Sequence, residues 1–416
     1  MRDVHEEGRP TVELLAPAGG MEQLRYALHF GADAVYLGGS RFGLRERADN
    51  FHGVDLAAAV AFAHERGKRA YIAVNSLVHQ GDLHALREYA AVLQDIRADA
   101  AIVSDLAAIA IMCETAPDVA IHISTQASVV NATAARMYAE LGASRVVLAR
   151  ELTLDEIAAI RAEAPSSLEL EAFVHGAMCI AYSGRCLISS YLVGRDANRG
   201  NCTQPCRWKW SLQEETRPGE YFPIEEDGSH SFVLSSADLN MLDHLSALQA
   251  AGVDSLKIEG RVKGAYYVAT VVNAYRRVLD GADAREFTSE LDAVSHRPYH
   301  TGFYYGTPAQ SYEGREYTQT CDFIGGVAAC EPEGEGRYRV AFDLRNRIYR
   351  DDELEILSAR RGLLHVKAQD LEDEDGNPCR VADHNAHRYS FTTDIPLEPL
   401  DVIRKRRANP DIQAGR

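Results

Sequence analysis

A unit of helix, glycine and short apolar strand recurs along the chain and constrains its fold more than any other feature. Three copies are residues 27–39 (ALHFGADAVYLGG), 138–151 (YAELGASRVVLARE) and 248–260 (LQAAGVDSLKIEG). In each copy a glycine can adopt the left-handed conformation that ends a helix, and a β-branched run follows it; these glycines are Gly31, Gly142 and Gly252. Strands that alternate with helices in this way predict a parallel sheet covered by helices.

The full pattern predicts eight such strands with amphipathic helices between them, which is typical of a TIM-like (β/α)8 barrel. The strands are expected near 12–16, 34–37, 69–74, 100–103, 119–124, 145–149, 168–174 and 255–259. Asp55 is expected to cap a helix at 56–66, and Thr153 with Glu156 forms a capping box for a later one. A ninth apolar run, FVLSS at 232–236, is assigned to an insertion after strand seven.

Polar side chains follow the predicted strands, and barrel chemistry gathers at the carboxyl ends of strands. We expect one pocket with a predicted catalytic set and a predicted substrate-binding pair. The catalytic set comprises Asn75, Gln126, His175 and Glu259, and the pair comprises Arg150 and Arg261. The alternative is that these residues form ordinary salt bridges and caps, since strand ends are polar in most proteins.

Four cysteines lie within 28 residues in the spacing C-x6-C-x15-C-x3-C. We refer to Cys179, Cys186, Cys202 and Cys206 as the insertion cysteines. A long chain without a signal peptide points to a reducing compartment, where thiols of this density bind metal rather than form disulfides. The uneven spacing favours a [4Fe–4S] cluster, and zinc stays an alternative. Cys113, Cys321, Cys330 and Cys379 share no ligand spacing and are expected to be ordinary thiols.

The domain boundaries follow from a change of pattern after the barrel. Residues 1–290 are assigned to the barrel, with the cysteine-rich insertion at about 176–230, and residues 291–319 to a connector. From 320 to 416 short alternating runs separated by turn sequences predict a small antiparallel β-barrel with a basic tail.

Charge and hydropathy limit the class of partner. The formal net charge is −17, which disfavours loose, charge-driven binding of nucleic acid. Residues 180–210 differ, because they hold five cations and Asp196 as their single acid; the cations are Arg185, Arg195, Arg199, Arg207 and Lys209. A second basic cluster is Arg404–Arg407. No apolar run is long enough to span a membrane, and we expect a cytoplasmic protein.

Several catalytic motifs are missing from the sequence. It contains no H-E-x-x-H, no G-x-S-x-G and no P-loop or G-x-G-x-x-G motif. A cysteine protease that uses Cys179 with His175 is conceivable, but a cysteine bound to iron is no nucleophile, so that reading and the cluster exclude each other. The radical-SAM triad also fails, because Lys209 stands where its third cysteine would be.

The region around the insertion resembles peptidase family U32, the collagenase-like proteases. The likeness lies in E-x-F-x-x-G-A-M-C-x4-G-x-C-x-I-S from Glu171 to Ser189, and in GRDANRGNCTQPCRW, SSADLNML and LKIEGRVKGAYYV. It covers roughly residues 12–305. The resemblance implies an iron–sulfur protein that supports hydroxylation of tRNA, rRNA or a ubiquinone precursor.

One branch of the family matches the predicted domain order. A barrel with one small β domain is most similar to the prephenate-dependent tRNA hydroxylases, which convert a wobble uridine to 5-hydroxyuridine. Arg150 and Arg261 would then each bind one carboxylate of prephenate. Arg195 and Arg199 in the basic insertion would meet the tRNA anticodon region. The resemblance also allows a related protein as partner. A peptidase, an rRNA hydroxylase and a non-catalytic RNA-binding subunit remain alternatives.

Overall fold

The computed structural model describes residues 12–44, 50–178, 186–208, 237–306, 317–334 and 336–407. It also gives the backbone of two short antiparallel pairs, Val4–His5 with Arg9–Pro10 and Ser211–Leu212 with Phe222–Pro223. The chain forms two compact units. The first comprises Met1–Leu28, Ala32–Lys263 and Arg297–Glu316, and the second comprises His29–Gly31, Gly264–His296 and Tyr317–Arg416. The predicted domain boundaries at 290 and 319 stay predictions.

The first unit contains a closed parallel barrel. Its strands are β1 (Glu13–Pro17), β2 (Ala34–Gly38), β3 (Arg69–Val74), β4 (Ala100–Val103), β5 (Ala120–Ile123), β6 (Ala143–Val147), β7 (Glu169–Ala177) and β8 (Ser255–Ile258). Each strand pairs in parallel with the next, and β8 pairs with both β7 and β1, so the sheet closes on itself. The predicted TIM-like fold is confirmed.

Helices follow the strands as the sequence pattern predicts. They are α1 (Met21–His29), α2 (Val54–His64), α3 (Leu83–Asp95), α4 (Leu106–Thr115), α5 (Ala132–Glu140), α6 (Leu154–Glu163) and α7 (Leu245–Ala250). Short 3-10 turns lie at Gln80–Asp82, Thr125–Ala127, Ala197–Arg199, Pro205–Arg207 and Leu242–His244. Within the ranges described, no helix combines the length and apolar character needed to cross a membrane.

The local signals for helix ends are partly confirmed. Thr153 and Glu156 form the capping box predicted for α6. The glycines of the three repeats have φ values of 101°, 98° and 91°, so each turns the chain from a helix into the next strand. The predicted cap by Asp55 is wrong: α2 begins earlier, after Gly53, and Asp55 lies in its first turn, where the helix dipole favours a carboxylate.

The chain leaves the barrel after β7 and returns beside it. Residues 186–208 include a short helix, Ile188–Val193. The strand Asp238–Asn240 pairs antiparallel with the end of β7 and parallel with Tyr299–His300. The apolar run at 232–236 and Cys179 lie outside the described residues. The end of β7 is therefore extended by two short strands on one side.

The second unit contains an antiparallel sheet and two helices. The helices are α8 (Ala265–Leu279) and α9 (Thr288–Leu291), with a 3-10 turn at Ala284–Phe287 between them. The strands are β9 (Cys321–Gly334), β10 (Arg337–Leu344), β11 (Glu353–Ser358), β12 (Gly362–Lys367), β13 (Gln369–Glu372), β14 (Arg388–Thr393) and β15 (Val402–Arg406), and Ile348–Tyr349 pairs with Val381–Ala382.

The sheet of the second unit has the order β12-β11-β15-β9-β10-β14-β13. Its two edge strands, β12 and β13, are separated by Ala368 alone, so the sheet curls round. Phe342, Ile356 and Phe391 are among the fully buried residues of its core. This antiparallel domain confirms the fold class predicted for the C-terminal region.

The basic cluster at Arg404–Arg407 is neutralised within the second unit. Arg404 is fully buried and binds Glu290 at 2.7 Å and Glu355 at 2.9 Å. Each of the other three cations also has an acidic partner: Lys405 has Asp352, Arg406 has Glu355 and Arg407 has Asp322. Arg404 therefore joins α9 to the sheet inside the domain, and carboxylates balance the charge of the other three cations.

Candidate active site

A polar cavity of about 780 Å³ opens at the carboxyl ends of β2 and β3. Its walls come from three parts of the first unit: the loop after β2, the segment after β3 and the insertion after β7. The lining residues are Gly39, Ser40, Arg41, Phe42, Gly43, Asn50, His52, Ser76, Asp82, Ala85, Gly194, Asp196, Arg199 and Asn201. The sequence predicts a pocket at this end of the barrel, but none of the six residues predicted to form that pocket lines this cavity.

The insertion is fixed to the barrel rim by two contacts that cross the cavity wall. The Leu77 N–H donates to the carbonyl of Asn198 at 3.1 Å. Arg199 pairs with Asp82 at 3.2 Å. The N–H of His79 and the Arg199 guanidinium lower the pKa of Asp82, which keeps its carboxylate charged. One wall of the cavity is therefore held by an ion pair between distant parts of the chain.

Two glycines at the end of β2 let large side chains approach the backbone. A Cβ at Gly38 would lie 1.9 Å from Nη1 of Arg261, and a Cβ at Gly39 would lie 1.9 Å from the Tyr89 hydroxyl. Tyr89 comes from α3, and burial raises its pKa to about 12. Its hydroxyl has no hydrogen-bond partner within the described part of the chain. This hydroxyl is a neutral donor next to a residue that lines the cavity.

Phe42 carries backbone strain in the cavity wall. Its φ is 61°, in the left-handed region that non-glycine residues rarely adopt. Its carbonyl accepts the N–H of Ser76 at 3.0 Å, and its ring centroid lies 5.9 Å from that of Tyr89. Strain of this kind persists where surrounding contacts impose it, and it collects at functional sites.

Asn75 and Gln126 are joined through the hydroxyl of Ser124. Asn75 Nδ2 donates to Ser124 Oγ at 3.3 Å, and the backbone N–H of Gln126 donates to the same oxygen at 3.3 Å. Asn75 Oδ1 also accepts the Leu44 N–H. The Oε1 atom of Gln126 is buried, and no described residue hydrogen-bonds to it. These two predicted catalytic residues are thus brought together.

Arg150 and Glu259 form a second group at the same end of the barrel. Nη2 of Arg150 lies 3.8 Å from Glu259, Nη1 donates to the Ala177 carbonyl at 2.7 Å, and the guanidinium stacks 3.7 Å above the Phe173 ring. Glu259 also lies 3.5 Å from the hydroxyl of Tyr36. These contacts already hold most of the Arg150 guanidinium. Its buried Nε has no hydrogen-bond partner among the described residues.

His175 and Arg261 lie in different surroundings. His175 is 1% exposed; its Nε2 lies 3.5 Å from the Tyr299 hydroxyl, and its carbonyl accepts the Glu259 N–H. Arg261 is 4% exposed and lies beside Gly38. The six predicted residues therefore divide among several groups around the mouth, with Arg150 on the β6–β7 side and Arg261 on the β2 side.

Family models match most of the chain. The model of peptidase family U32 matches residues 19–314, and that of the U32 C-terminal domain matches residues 319–404. The chain belongs to peptidase family U32.

Curated U32 relatives have names of two kinds. The chain is 37% identical to "tRNA hydroxylation protein P1" of Bacillus subtilis (strain 168), with 94% of each chain covered. It is 38% identical to "23S rRNA 5-hydroxycytidine C2501 synthase" of Escherichia coli (strain K12), over 65% of this chain and 39% of that protein. It is 31% identical to "Collagenase" of Porphyromonas gingivalis (strain ATCC BAA-308 / W83), over 71% of this chain and 73% of that protein.

The U32 motifs include buried charges that sequence reasoning missed. Glu171 of the first motif is fully buried and binds Lys257 of the last motif at 2.7 Å. Arg145 binds Glu171 at 3.0 Å and Glu13 at 2.6 Å, and Tyr71 donates to Glu13. Charged residues inside predicted strands were the signal that could have revealed this layer. It lies within the barrel and supports the strands that carry the site.

The insertion cysteines of this U32 chain are only partly described. Cys179 lies outside the described residues, and Cys186, Cys202 and Cys206 are half-buried. The Gln204 N–H donates to Cys202 Sγ at 3.3 Å, and Asn198 donates to the Cys186 carbonyl at 3.2 Å. In the described ranges no three His, Cys, Asp or Glu side chains are grouped to hold a metal ion. Thiols are ligands both of iron–sulfur clusters and of zinc, and the Cys202 sulfur accepts a hydrogen bond, so the predicted cluster stays a prediction.

Arg195 and Arg199, predicted to bind RNA, both lie in the described part of the insertion. Nε of Arg195 donates to Asn201 Oδ1 at 2.6 Å, which positions the side chain without neutralising its charge. Arg199 is 37% exposed and shares its charge with Asp82. The two arginines therefore differ: Arg195 is held by an amide and has no carboxylate partner among the described residues, whereas Arg199 bridges to the barrel rim.

Proposed function

We propose that this U32 protein is an iron–sulfur RNA hydroxylase that acts on tRNA and converts a wobble uridine to 5-hydroxyuridine with prephenate as co-substrate. The observation that carries the proposal is the polar cavity of about 780 Å³, because barrel loops and the cysteine-rich insertion build it together. The relatives named for hydroxylation of tRNA and for hydroxycytidine in rRNA support the reaction class. The size of the cavity suits an unstacked nucleotide.

The insertion cysteines would hold a [4Fe–4S] cluster, which supplies one-electron transfer when bound. The N–H donated to Cys202 is of the kind that tunes the sulfur of such a centre. The chain's own residues then position the substrate. Arg195 carries a charge that can meet a phosphate, and the Phe42 ring offers a face at the cavity wall.

Prephenate has two carboxylates, and Arg150 and Arg261 are the proposed residues for them. The arginines are 10% (Arg150 side chain) and 4% (Arg261) exposed, so a carboxylate bound there would be largely screened from water. Stacking over Phe173 fixes the plane of the Arg150 guanidinium, and its buried Nε, to which no described residue hydrogen-bonds, is the donor left for a carboxylate oxygen. Glu259 beside Arg150 and Asn75 with Gln126 would orient the rest of the ligand.

The test is the nucleoside composition of RNA from a strain in which the gene has been deleted. We expect 5-hydroxyuridine to disappear from digested tRNA and to return when the wild-type gene is restored. A variant with Cys202→Ala should not restore it. Unchanged tRNA together with loss of 5-hydroxycytidine from 23S rRNA would contradict the tRNA proposal and favour the rRNA alternative.

A peptidase is the second candidate, because one U32 relative carries the name "Collagenase". The surroundings of His175 disfavour it: the side chain is 1% exposed and its Nε2 faces Tyr299, which is poor access for a general base. We expect no cleavage of casein or collagen by homogeneous protein. Cleavage that co-purifies and is lost in His175→Ala, with iron content unchanged, would restore the peptidase reading.

A further inference from the structure

The insertion exposes a run of large apolar side chains at the edge of the cavity. Tyr191 is 91% exposed, Leu187 67%, Leu192 44% and Val193 41%. Leu187, the residue before the helix Ile188–Val193, and Tyr191 are four residues apart and so lie on the same side of its first turn. Soluble proteins seldom leave such side chains together in water unless they bind something. We call this surface, with Trp208, the insertion platform.

The platform is built on an anchored element. Ser189, within the same helix, is fully buried; its hydroxyl lies 3.1 Å from Thr203 Oγ1 and accepts the Thr203 N–H at 3.1 Å. The turn Pro205–Arg207 contacts the helix, and Trp208, which is 43% exposed, follows that turn. The buried side of the helix is therefore held in place, and Tyr191 lies on its exposed side.

The position of the platform links it to the cavity. Gly194 follows the last residue of the helix and lines the cavity, as do Asp196 and Arg199 a few residues later. The helix that carries Tyr191 therefore ends at a residue of the cavity wall. The insertion is also locally basic within a chain of net charge −17, with Asp196 as the single acid between residues 180 and 210. Aromatic rings among cations complement a polyanion that has flat bases.

We propose that the insertion platform is a base-stacking surface for unpaired nucleotides of the RNA substrate, with Tyr191 as its main contact and Trp208 as a second ring. The inference rests on the proposed function and deepens it, because it names how the RNA is held. A nucleotide that stacks on Tyr191 would place its neighbour at the cavity mouth. Tyr191 is a positioning residue here, since it touches a base next to the reacting one.

The experiment measures binding of the full-length holoprotein to a fluorescent RNA hairpin with an unpaired loop, and to a duplex of the same stem without a loop. Stacking on one aromatic contributes enough that Tyr191→Ala should weaken hairpin binding by about 5-fold or more. Tyr191→Phe keeps the ring and should stay within about 2-fold of wild type. The slope of affinity against salt should not change in either variant, because no charge is lost.

Met137→Ala is the matched control, since Met137 is 51% exposed on α5, away from the insertion. It should bind the hairpin as wild type does, and unfolding by heat should be the same for all variants. If Tyr191→Ala binds the hairpin as tightly as wild type does, the inference about the platform is wrong and the proposed function is unaffected. If the wild-type protein binds neither the hairpin nor the duplex, the proposed function is wrong as well. If instead Tyr191→Ala separates a protein assembly, seen as a lower mass in light scattering, the surface binds protein and the inference is wrong.

Discussion

Replacement of Arg145 by methionine tests whether the buried charge layer holds the barrel together. The Arg145 side chain is 2% exposed and binds three carboxylates: Glu13 at 2.6 Å, Glu171 at 3.0 Å and Glu169 at 2.6 Å. The side chains of Glu13 and Glu171 are 5% and 0% exposed. Methionine keeps much of the volume and removes the charge, so two buried carboxylates lose their shared cation.

The expected cost follows from that burial. Breaking a buried pair by removing one partner costs about 3–5 kcal/mol, out of a total stability of roughly 5–15 kcal/mol for a domain. Lys257 still binds Glu171 at 2.7 Å and Arg69 still binds Glu13 at 2.6 Å, so the lower part of that range applies. We expect the urea midpoint to fall by a large fraction of its wild-type value, at an unchanged slope.

The control is Arg87→Met, which removes an exposed pair. Arg87 lies 2.5 Å from Glu114, but the two side chains are 49% and 68% exposed, so the loss should stay below about 1 kcal/mol. Unfolding of both variants is followed by far-ultraviolet circular dichroism at neutral pH. Equal destabilisation by Arg145→Met and Arg87→Met would refute the reasoning, because burial would then have no effect on the strength of the pair.

The pH dependence gives a second check of the same layer. Burial alone would raise the pKa of Glu13, but Arg145, Arg69 and Tyr71 together lower it. In the wild type its contribution is present above the unfolded pKa and is lost as the pH falls through the lower folded value. In Arg145→Met the main cause that lowers this pKa is lost, so the pKa of Glu13 should rise and the stability deficit of the variant should narrow as the pH falls toward that raised pKa. A deficit independent of pH would contradict this account.

Three further predictions concern the site. Protein purified without oxygen should carry about four irons and four sulfides per chain. Alanine at any insertion cysteine should abolish this iron and sulfide content, and Cys379→Ala should leave it unchanged. One zinc per chain without sulfide would contradict the cluster proposal. Arg150→Ala and Arg261→Ala should each weaken prephenate binding about 30-fold or more in calorimetric titration, and binding equal to wild type would place the pocket elsewhere. Arg195→Ala should weaken tRNA binding and flatten its salt dependence while prephenate binding is unchanged.

The barrel could be predicted from sequence because its signals are local. Glycines that end helices and β-branched runs that follow them located all eight strands to within a few residues. The same local logic failed at Asp55, where the helix starts after a glycine without a side-chain cap. Polar strand ends located the mouth but not the cavity, which depends on Gly39 being small enough for Tyr89 from α3 to approach. Gly39 and Tyr89 are fifty positions apart, so no periodic pattern in the sequence predicts this contact.

The buried charge layer and the insertion platform could not be predicted from the sequence, for a similar reason. Glu13, Arg145 and Lys257 come from β1, β6 and β8, and they meet only because the sheet closes. In the sequence Tyr191 looks like an ordinary apolar residue of a short helix, and only the structure shows that it is 91% exposed. Closure and exposure are properties of the whole fold, so a sequence pattern with a range of a few residues cannot contain them.

An acidic protein that binds RNA needs a source of affinity other than total charge. Arg404–Arg407 are each paired with carboxylates, and Arg199 shares its charge with Asp82, so few cations among the described residues of these clusters remain to displace counterions. Each phosphate contact on single-stranded nucleic acid contributes a slope of about −0.7 to the dependence of log affinity on log salt. The shallow slope expected from Arg195 and a few neighbours leaves stacking and the cavity to supply most of the affinity. Such binding favours an unpaired loop over a duplex, because stacked and paired bases present no free face to an aromatic ring.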